Sequence, residues 1–301
     1  MIPDLTISII NTNNREVLLG CLGSIFDTAG ELILEIIVVN NACNDGSTQA
    51  IRKHFPRVKI LEHEKMLGFS TNNNLAFSQA SGRYLMLLND DTIVNPEAFQ
   101  SMVAFMDHHP EVAVVGASLL NLDGSPQLCY GNTPNPIYEG LRPLSEILLP
   151  VPKSNNMPLE VANVHGACMM VRASAAKTIG LLDTNFDPLY SEEVDWCFRF
   201  KRAGWKVYHL PAAQVVHLGG ATMERASMGR YERIYEKKGL FFKKHYGMGA
   251  LIIYKITLFI SNMGKTISWL ILWSLGKDGA KEEVRTHWNL VRRIPSLLMG
   301  S

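Results

Sequence analysis

The sequence predicts an α/β fold, in which a mostly parallel sheet is covered by helices on both faces. Over the first 120 residues, short apolar runs of strand length alternate with longer segments of mixed polarity. Strands and helices in alternation are typical of such sheets. The 301 residues include 47% hydrophobic and 19% charged side chains. This composition supports one large or two small folded domains and excludes a disordered, collagen-like or low-complexity chain.

The elements of the first 120 residues follow from these runs and from helix start signals. Strands are predicted at Leu5–Ile10, Glu35–Val39, Val58–Leu61, Tyr84–Leu88 and Val112–Val115. Helices are predicted between them at Val17–Thr28, Ser47–Phe55, Asn72–Ala80 and Pro96–His108. Asn95 directly precedes Pro96, and this pair predicts an N-cap followed by proline at the first helical position.

The rest of the chain divides into a loop-rich segment, a second folded stretch and a basic tail. Residues 121–160 are rich in proline and predict an irregular excursion. Regular patterns resume with a strand at Val161–Val171, helices at Ala173–Ile179 and Glu192–Ala203, and short strands at Trp205–His209 and Gln214–Val216. From Glu224 onward the sequence predicts basic helix. We therefore expect two domains, 1–223 and 224–301.

Charge is distributed unevenly between these two regions. Residues 1–224 carry 15 Lys and Arg against 23 Asp and Glu, a net charge of −8, whereas residues 225–301 carry 14 against 5, a net charge of +9. A basic tail on an acidic body predicts contact between the tail and an anionic surface. The five cysteines are odd in number and form no Cys-x-x-Cys pair. That pattern argues against a zinc site or a disulfide framework and favours a cytoplasmic protein.

The apolar segment 248–275 predicts a helix that lies in a membrane interface. Lys255 and Lys265 interrupt it, so neither uncharged stretch reaches the roughly 20 residues of a spanning helix. On a helical wheel, one face is apolar (Ile252, Ile253, Ile256, Phe259, Ile260, Met263, Ile267) and the other mainly polar (Lys255, Thr257, Ser261, Asn262, Lys265). Trp269 and Trp273 suit the headgroup level, and the basic residues Lys277, Lys281, Arg285, Arg292 and Arg293 suit anionic lipids. Packing on the body, a dimer contact and a helical hairpin dipping into the bilayer stay open as alternatives.

Two adjacent carboxylates are the sharpest chemical signal in the sequence. Asp90 and Asp91 follow the apolar run Leu85–Leu88, at the end of a predicted strand where like charges repel. A divalent cation would relieve this repulsion, since Mg²⁺ and Mn²⁺ favour oxygen ligands and commonly use one or two carboxylates with substrate phosphates. A polar turn is the alternative.

A second acidic run opens the predicted helix at residue 192. Glu192, Glu193 and Asp195 stand in its first turn, where the helix dipole favours negative charge. The same run supplies a candidate general base. His217 ends a predicted strand beside glycine, and beside a metal site its imidazole would be a natural ligand.

Asparagines recur where the early strands end. Asn11 and Asn13 follow the first strand, Asn40 and Asn41 end the second, and Asn72 follows Gly68. An amide offers donor and acceptor together, which suits a nucleobase or ribose, although turn formation explains any single one of them equally well. The sequence contains no dinucleotide-binding glycine fingerprint and no NTPase P-loop.

Together these segments resemble the inverting nucleotide-sugar glycosyltransferases of family 2, which have the GT-A fold. Within that family they are similar to the bacterial rhamnosyltransferase-like branch. The resemblance runs from about Leu5 to Gly220, with a C-terminal extension after it. The matching stretches are 8–13, 37–47, 67–73, 88–92, 166–172, 192–195 and 216–217.

The resemblance implies a role for individual residues. It implies Asp91 and His217 as ligands of Mg²⁺ or Mn²⁺ and Glu193 as the catalytic base. Because Glu193 replaces the family's aspartate, Glu192 and Asp195 stay open as competitors. The expected substrate-binding residues are Asn11, Asn13, Asn40, Asn41, Gly68, Asn72, Asn89, Asp90, Gly166, Glu192, Asp195 and Trp196. Asn40 stands where the family has an aspartate that reads the base, and an amide there favours a pyrimidine.

The function implied by the resemblance is metal-dependent, inverting transfer of a sugar from a nucleotide diphosphate. The expected reaction moves rhamnose from dTDP-rhamnose to a hydroxyl of a lipid-linked or polysaccharide acceptor. A UDP-sugar transferase of the same fold and a non-catalytic membrane-bound scaffold are the alternatives. The expected partners are the donor, the acceptor, an anionic membrane on the cytoplasmic side and a second copy of the chain, but no nucleic acid.

Overall fold

The computed structural model describes residues 1–142, 156–219 and 228–295. The chain forms two compact units. The first comprises residues 1–132 and 152–223, and the second comprises residues 133–151 and 224–301. Residues 133–151 belong to the predicted loop-rich excursion and group with the C-terminal region. Of that excursion, residues 143–155 lie outside the described residues, as do Gly220, the first residues of the basic tail and residues 296–301.

Nine strands of the first unit form one sheet among the described residues, in the order β3-β2-β1-β4-β10-β6-β11-β5, with β8 paired to β11. β7 and β9 pair with each other in a separate two-stranded sheet. The strands of both sheets are β1 Leu5–Asn11, β2 Leu34–Asn41, β3 Lys59–His63, β4 Tyr84–Asn89, β5 Thr92–Val94, β6 Val112–Leu120, β7 Tyr130–Gly131, β8 Leu159–Glu160, β9 Asn163–Val164, β10 Cys168–Arg172 and β11 Lys206–His217. β1 to β4 are parallel to one another, β6 and β11 are parallel, and β10 runs antiparallel between β4 and β6. The predicted α/β fold with a mostly parallel sheet is therefore confirmed.

The sheet brings the ends of its first strands together. β1, β2 and β4 are buried along nearly their whole length, which is why their sequences are continuous apolar runs. Asn11 pairs in register with Asn40, and Ile10 with Asn89. The polar residues that end these strands consequently share one rim of the sheet, which is where ligands bind in open α/β sheets.

The predicted helices of the first unit form, with shifts at their ends. They are α1 Arg15–Thr28, α2 Ser47–His54, α3 Phe69–Phe77, α4 Ala98–His108, α6 Ala173–Ile179 and α7 Glu192–Arg202. The predicted start of α4 is wrong, because the residue before its first turn is Glu97 in the left-handed conformation (φ 62°). Asn95 and Pro96 form the preceding turn, in which the Asn95 carbonyl accepts from the Ala98 N–H.

The second half of the sheet also differs from the prediction. The single strand predicted over Val161–Val171 is broken into β9 and β10, and β8 lies just before this range. The two short strands predicted near the end of this unit are one strand, β11, with an irregularity between Leu210 and Gln214. β5 was not predicted, because its three residues are too short to show a period.

The second unit is helical in its described part. It contains α5 Pro136–Leu141, α8 Met228–Ser274 and α9 Ala280–Arg293. Asn135 caps α5 by accepting from the N–H groups of Ile137 and Tyr138, with Pro136 in the first turn, so the Asn-Pro start signal operates here. α8 is broken at Gly247 (φ 83°, ψ −176°) into 228–246 and 248–274. By length and composition alone, α8 qualifies as a candidate membrane-crossing helix.

Candidate active site

The acidic pair predicted at the end of β4 lies beside the end of β11. His217 ends β11 and pairs in register with Thr92 of β5, so β11 returns to the residue that follows Asp91. His217 Nε2 lies 3.4 Å from Asp91 Oδ1 and 3.2 Å from Asn89 Nδ2. The exposed fractions are 3% for Asp91 and 8% for His217. The structure therefore gathers three predicted site residues in one sheltered cluster at the rim.

Gln127, which the sequence did not single out, fixes the orientation of His217. Its Nε2 donates to the His217 carbonyl (2.7 Å), and its Oε1 lies 2.9 Å from His217 Nδ1. Because an amide oxygen only accepts, Nδ1 carries the proton and the Nε2 lone pair faces Asn89 and Asp91. A second hydrogen bond of this kind sets the tautomer of a ligating histidine. A glutamine in an irregular loop gives no pattern from which this role could have been predicted.

Asp90 faces a different partner from Asp91. It is buried, and its Oδ2 accepts from Asn14 Nδ2 at 3.0 Å. Desolvation raises the pKa of Asp90 to about 7; the Asn14 hydrogen bond opposes this rise and the neighbouring Asp91 carboxylate adds to it. The two adjacent carboxyls thus have distinct environments, and Asp91 is the one next to His217.

The first turn of α7 holds two carboxyls of different accessibility. Glu192 is 3% exposed, and its Oε2 has no hydrogen-bond partner within the part of the chain that the structure describes. Glu193 is half-buried. Desolvation raises the pKa of Glu193, and it raises the pKa of Glu192 well above its usual range, with a further contribution from the Glu193 charge. A carboxylate with a raised pKa that solvent can still reach is suited to general-base chemistry, and Glu193 meets both conditions.

Asp195 and Trp196 are held inside the protein. Asp195 is fully buried and forms an ion pair with Arg199 Nε at 2.8 Å. Arg199 also donates to the carbonyl of Leu181. Trp196 is fully buried, and its indole N–H donates to the Gly180 carbonyl at 2.8 Å. Both side chains thus hold α7 against the 179–182 turn, and we leave both out of the binding set proposed below.

The segment 165–167 joins the Asp91 cluster to Glu193. The His165 ring lies 5.9 Å from the His217 ring, measured between centroids. The Ala167 carbonyl accepts from the Asn89 N–H at 3.0 Å. Gly166 stands between them. A Cβ atom added to Gly166 would lie 3.8 Å from Glu193 Cβ and 3.8 Å from Phe69 Cζ. Gly166 thus borders Glu193, while Ala167 bonds to the end of β4 that leads to Asp91, so Glu193 and the cluster lie at the same end of the sheet.

His165 was not among the predicted residues, because a single histidine before a glycine carries no distinctive pattern. The side chain of His165 is exposed to solvent. Desolvation by the surrounding protein nevertheless lowers the pKa of His165 to about 4. The nearby His217 adds to this lowering and Asp91 opposes it. His165 is therefore neutral at pH 7.

Two of the predicted asparagines, at the ends of β1 and β2, are hydrogen-bonded to each other. Asn11 Nδ2 donates to Asn40 Oδ1 at 2.8 Å, and Asn40 Nδ2 donates to Thr48 Oγ1 at 2.7 Å. Both asparagines are buried. Asn13 is exposed above them, and its Oδ1 accepts from the Asn44 N–H. Asn11 and Asn40 therefore bond to groups of the protein, whereas the Asn13 side chain is exposed to solvent.

The remaining predicted residues around α3 hold a turn. Asn41 Oδ1 accepts from the Leu67 N–H (2.8 Å), and the Nδ2 groups of Asn41 and Asn72 both donate to the Leu67 carbonyl. Gly68 precedes α3, where a Cβ would meet the Asp187 side chain at 2.1 Å. Asp187 in turn accepts from the Ser70 N–H at 2.8 Å. Glycine at position 68 therefore has a packing reason, because it lets Asp187 reach the first turn of α3.

The donor set at the rim fits a divalent cation of the Mg²⁺ or Mn²⁺ type. Among the described residues, no group of three or more His, Cys, Asp and Glu side chains could hold a metal on its own. Asp91 supplies a carboxylate and His217 an oriented imidazole nitrogen within 3.4 Å of each other. Mg²⁺ typically takes one or two protein carboxylates and completes its shell with water and substrate phosphates, so two protein ligands are sufficient.

Comparison with known proteins agrees with this architecture. Residues 6–180 match the profile of the family "Glycosyl transferase family 2". The chain is 24% identical over 209 residues to N-acetylglucosaminyl-diphospho-decaprenol L-rhamnosyltransferase of Mycobacterium tuberculosis, an alignment that covers 63% of this chain and 68% of that protein. It is 24% identical to the amylovoran biosynthesis glycosyltransferase AmsE of Erwinia amylovora, covering 74% and 78%.

Solved structures share the fold at low identity. GalNAc-T7 with UDP, GalNAc and Mn²⁺ superposes with a TM-score of 0.61 at 14% identity, covering 81% of this chain and 51% of that one. Mannosyltransferase PcManGT from Pyrobaculum calidifontis with GDP-Man and Mn²⁺ gives 0.60 at 14% identity, covering 99% and 85%. Since the family profile covers more than half of the chain, the protein belongs to glycosyltransferase family 2 and is a glycosyltransferase with the GT-A fold.

Proposed function

We propose that this protein transfers a sugar from a nucleotide diphosphate to an acceptor hydroxyl with inversion at the anomeric carbon. The observation that carries this proposal is the chain of contacts from Asp91 through His217 and the 165–167 segment to Glu193. These contacts support a site in which an oxygen-and-imidazole donor set and a carboxylate with a raised pKa act on the same substrate.

Asp91 and His217 are the residues that would hold the metal. When bound there, Mg²⁺ or Mn²⁺ would neutralise negative charge on the diphosphate. Two relatives of the same fold were solved with Mn²⁺ and a nucleotide or nucleotide sugar, which supports a divalent ion but does not distinguish Mg²⁺ from Mn²⁺. Gln127 keeps the His217 lone pair directed toward Asp91.

Glu193 is the proposed base. Its carboxylate takes the proton of the acceptor hydroxyl while that oxygen attacks the anomeric carbon and the diphosphate leaves. One displacement inverts the configuration and needs no covalent intermediate. The accessibility of Glu193, set against the burial of Glu192 and the ion pair of Asp195 with Arg199, supports this choice among the three acids.

The donor proposed first is dTDP-rhamnose, with a UDP-sugar as the alternative. The similarity to a mycobacterial rhamnosyltransferase supports the former. Asn13 is the proposed donor-side contact among these asparagines, while the hydrogen-bonded pair of Asn11 and Asn40 supports the ends of β1 and β2. A lipid-linked or polysaccharide hydroxyl is the proposed acceptor, as the names of the mycobacterial and Erwinia relatives suggest.

The helical region after residue 224 is proposed to rest on an anionic membrane at its cytoplasmic face. α8 buries Asn262, which accepts from His287 of α9 at 3.0 Å, while Ile256 is 54% exposed and Ile260 52% exposed. Lys277 Nζ lies 5.2 Å from the centre of the Trp269 ring, so basic and aromatic groups occur together as at a lipid headgroup layer. An apolar exterior beside basic charge is the pattern of an interfacial helix.

The test is a panel of nucleotide sugars that includes dTDP-rhamnose and UDP-sugars, offered to the full chain with Mn²⁺. Each is supplied with and without a lipid-linked acceptor, and products are identified by mass spectrometry. A glycosylated acceptor that forms with one donor only would support the proposal and name the sugar. If neither hydrolysis nor transfer occurs with any donor of the panel, the result would favour the alternative of a non-catalytic membrane-bound scaffold.

A further inference from the structure

His165 stands between the two halves of the proposed site without a role in either. Its ring is exposed and lies 5.9 Å from the His217 ring at an interplanar angle of 52°. The next residue, Gly166, borders Glu193. A group placed at His165 therefore faces the space between the Asp91 cluster and the base.

The hydrogen bonding of His165 defines which nitrogen carries its proton. The Ala167 N–H donates to His165 Nδ1 at 3.1 Å, so Nδ1 is the acceptor and the neutral ring carries its hydrogen on Nε2. The main chain thereby presets a hydrogen-bond donor on the exposed side of the ring. A donor that is oriented before the ligand arrives loses little entropy on binding.

The charge of the first unit explains why such a donor would be useful. The residues of this unit, 1–132 and 152–223, carry 14 Lys and Arg against 20 Asp and Glu, a net charge of −6, and the contacts described at this rim join carboxylates, amides and imidazoles. An anionic ligand at such a rim needs oriented N–H donors in addition to a cation. The Nε2–H of His165, fixed by the hydrogen bond from the Ala167 N–H to Nδ1, supplies one such donor.

We propose that His165 is a donor-binding residue whose Nε2–H donates to a phosphate oxygen of the nucleotide diphosphate. This inference rests on the proposed function and deepens it, because it assigns a further contact of the same site. It predicts that His165 contributes to binding of the leaving nucleoside diphosphate as well as of the intact donor.

A purely structural role makes a different prediction. The Nδ1 bond to Ala167 spans two residues, and an Asn side chain can form the same local turn. His165→Asn therefore keeps the turn but leaves its N–H group one bond short of the position of Nε2. His165→Gln carries an N–H near the position of Nε2 and gives up the turn bond. The two variants separate ligand binding from local structure.

The experiment measures binding of dTDP and of UDP by calorimetry to the full chain in saturating Mn²⁺, for the wild type, both variants and His54→Asn. His54 is an exposed histidine at the end of α2 and serves as the matched control. A hydrogen bond to a charged oxygen is worth about tenfold in affinity. We expect His165→Asn to bind the preferred nucleotide about tenfold more weakly, and His165→Gln and the control to bind it within about twofold of the wild type.

Steady-state kinetics give a second readout. His165→Asn should raise the donor KM by a similar factor and leave the acceptor KM unchanged. Wild-type affinity in His165→Asn, or equal weakening in Asn and Gln variants, would overturn the assignment of His165 alone. A wild-type protein that binds neither nucleotide would instead overturn the proposed function from which the inference starts.

Discussion

The two units of this protein place polar and apolar side chains in opposite ways. The first unit buries apolar strands and gathers carboxyls at one rim, where Asp91 and Glu192 are each only 3% exposed. The second buries Ser261 and Asn262 in α8 and exposes Ile256 on the same helix. Each arrangement lowers folding stability in water, because the first unit removes charged groups from solvent and the second leaves apolar surface exposed to it. Under the proposed function, these two costs are explained by partners: an ion and a diphosphate would cover the rim of the first unit, and a lipid layer would cover the apolar face of the second.

The largest effect on activity is expected when Asp91 of the acidic rim is replaced. Asp91→Asn removes a proposed metal ligand, and we expect donor turnover in Mn²⁺ to fall by about a thousandfold, since a metal contributes several kcal/mol of charge stabilisation. Asp123→Asn is the control, because Asp123 lies in an exposed loop and accepts hydrogen bonds from the neighbouring Ser125. Rates are compared at saturating donor. Full activity of the wild type in excess chelator would show that the reaction needs no metal.

The second unit is tested by making its exposed face polar. Ile256→Asn with Ile260→Asn should weaken co-sedimentation with anionic vesicles by about thirtyfold, since each isoleucine is about half exposed and would bury that area in lipid. Leu122→Asn, an exposed leucine of the first unit, should leave binding unchanged. Equal vesicle binding by all three proteins would show that the exposed apolar face does not contact lipid.

The smallest effect concerns the stability cost of the buried carboxyl at the first turn of α7. Burial raises the pKa of Glu192 in the folded protein, so above the ordinary glutamate value of about 4.3 the folded state binds more protons than the unfolded state. Stability must then fall as pH rises through this range. Glu192→Gln cannot titrate, and its free energy of unfolding should exceed that of the wild type by about 1 kcal/mol at pH 8 and by little at pH 4.

Urea unfolding over this pH range measures the difference. The exposed Glu64→Gln should show no such trend. A gap between Glu192→Gln and wild type that does not change with pH would mean that Glu192 is not held against its charged form.

The features that could be predicted from sequence are those encoded in a contiguous run. The strands β1, β2 and β4 are uninterrupted apolar stretches, and the order of motifs indicated the GT-A fold that the comparisons confirm. Adjacent acids at a strand end also pointed to Asp91. By contrast, the Asn95 start signal was overridden by a turn, because the αL conformation of Glu97 begins α4 two residues later.

The features that could not be predicted depend on contacts between distant segments. Nothing in the sequence distinguishes Trp196, which the fold buries against Phe77 and Phe200, from a tryptophan that lines a cleft. Gln127 and His165 lie far along the chain from Asp91 and reach its neighbourhood only through the paths of β7, β9 and β10. Likewise, the buried pairing of Asn11 with Asn40 becomes visible only when β1 and β2 are in register.

The most direct test of the central claim, that Glu193 is the base facing the Asp91 cluster, compares Glu193→Gln with Glu192→Gln in the same transfer assay. We predict that Glu193→Gln binds the nucleotide sugar as the wild type does and transfers it about 10²–10⁴-fold more slowly, because only proton removal is lost. Glu192→Gln should transfer at a rate close to that of the wild type. Near-wild-type transfer by Glu193→Gln, or loss of transfer in Glu192→Gln alone, would contradict the account.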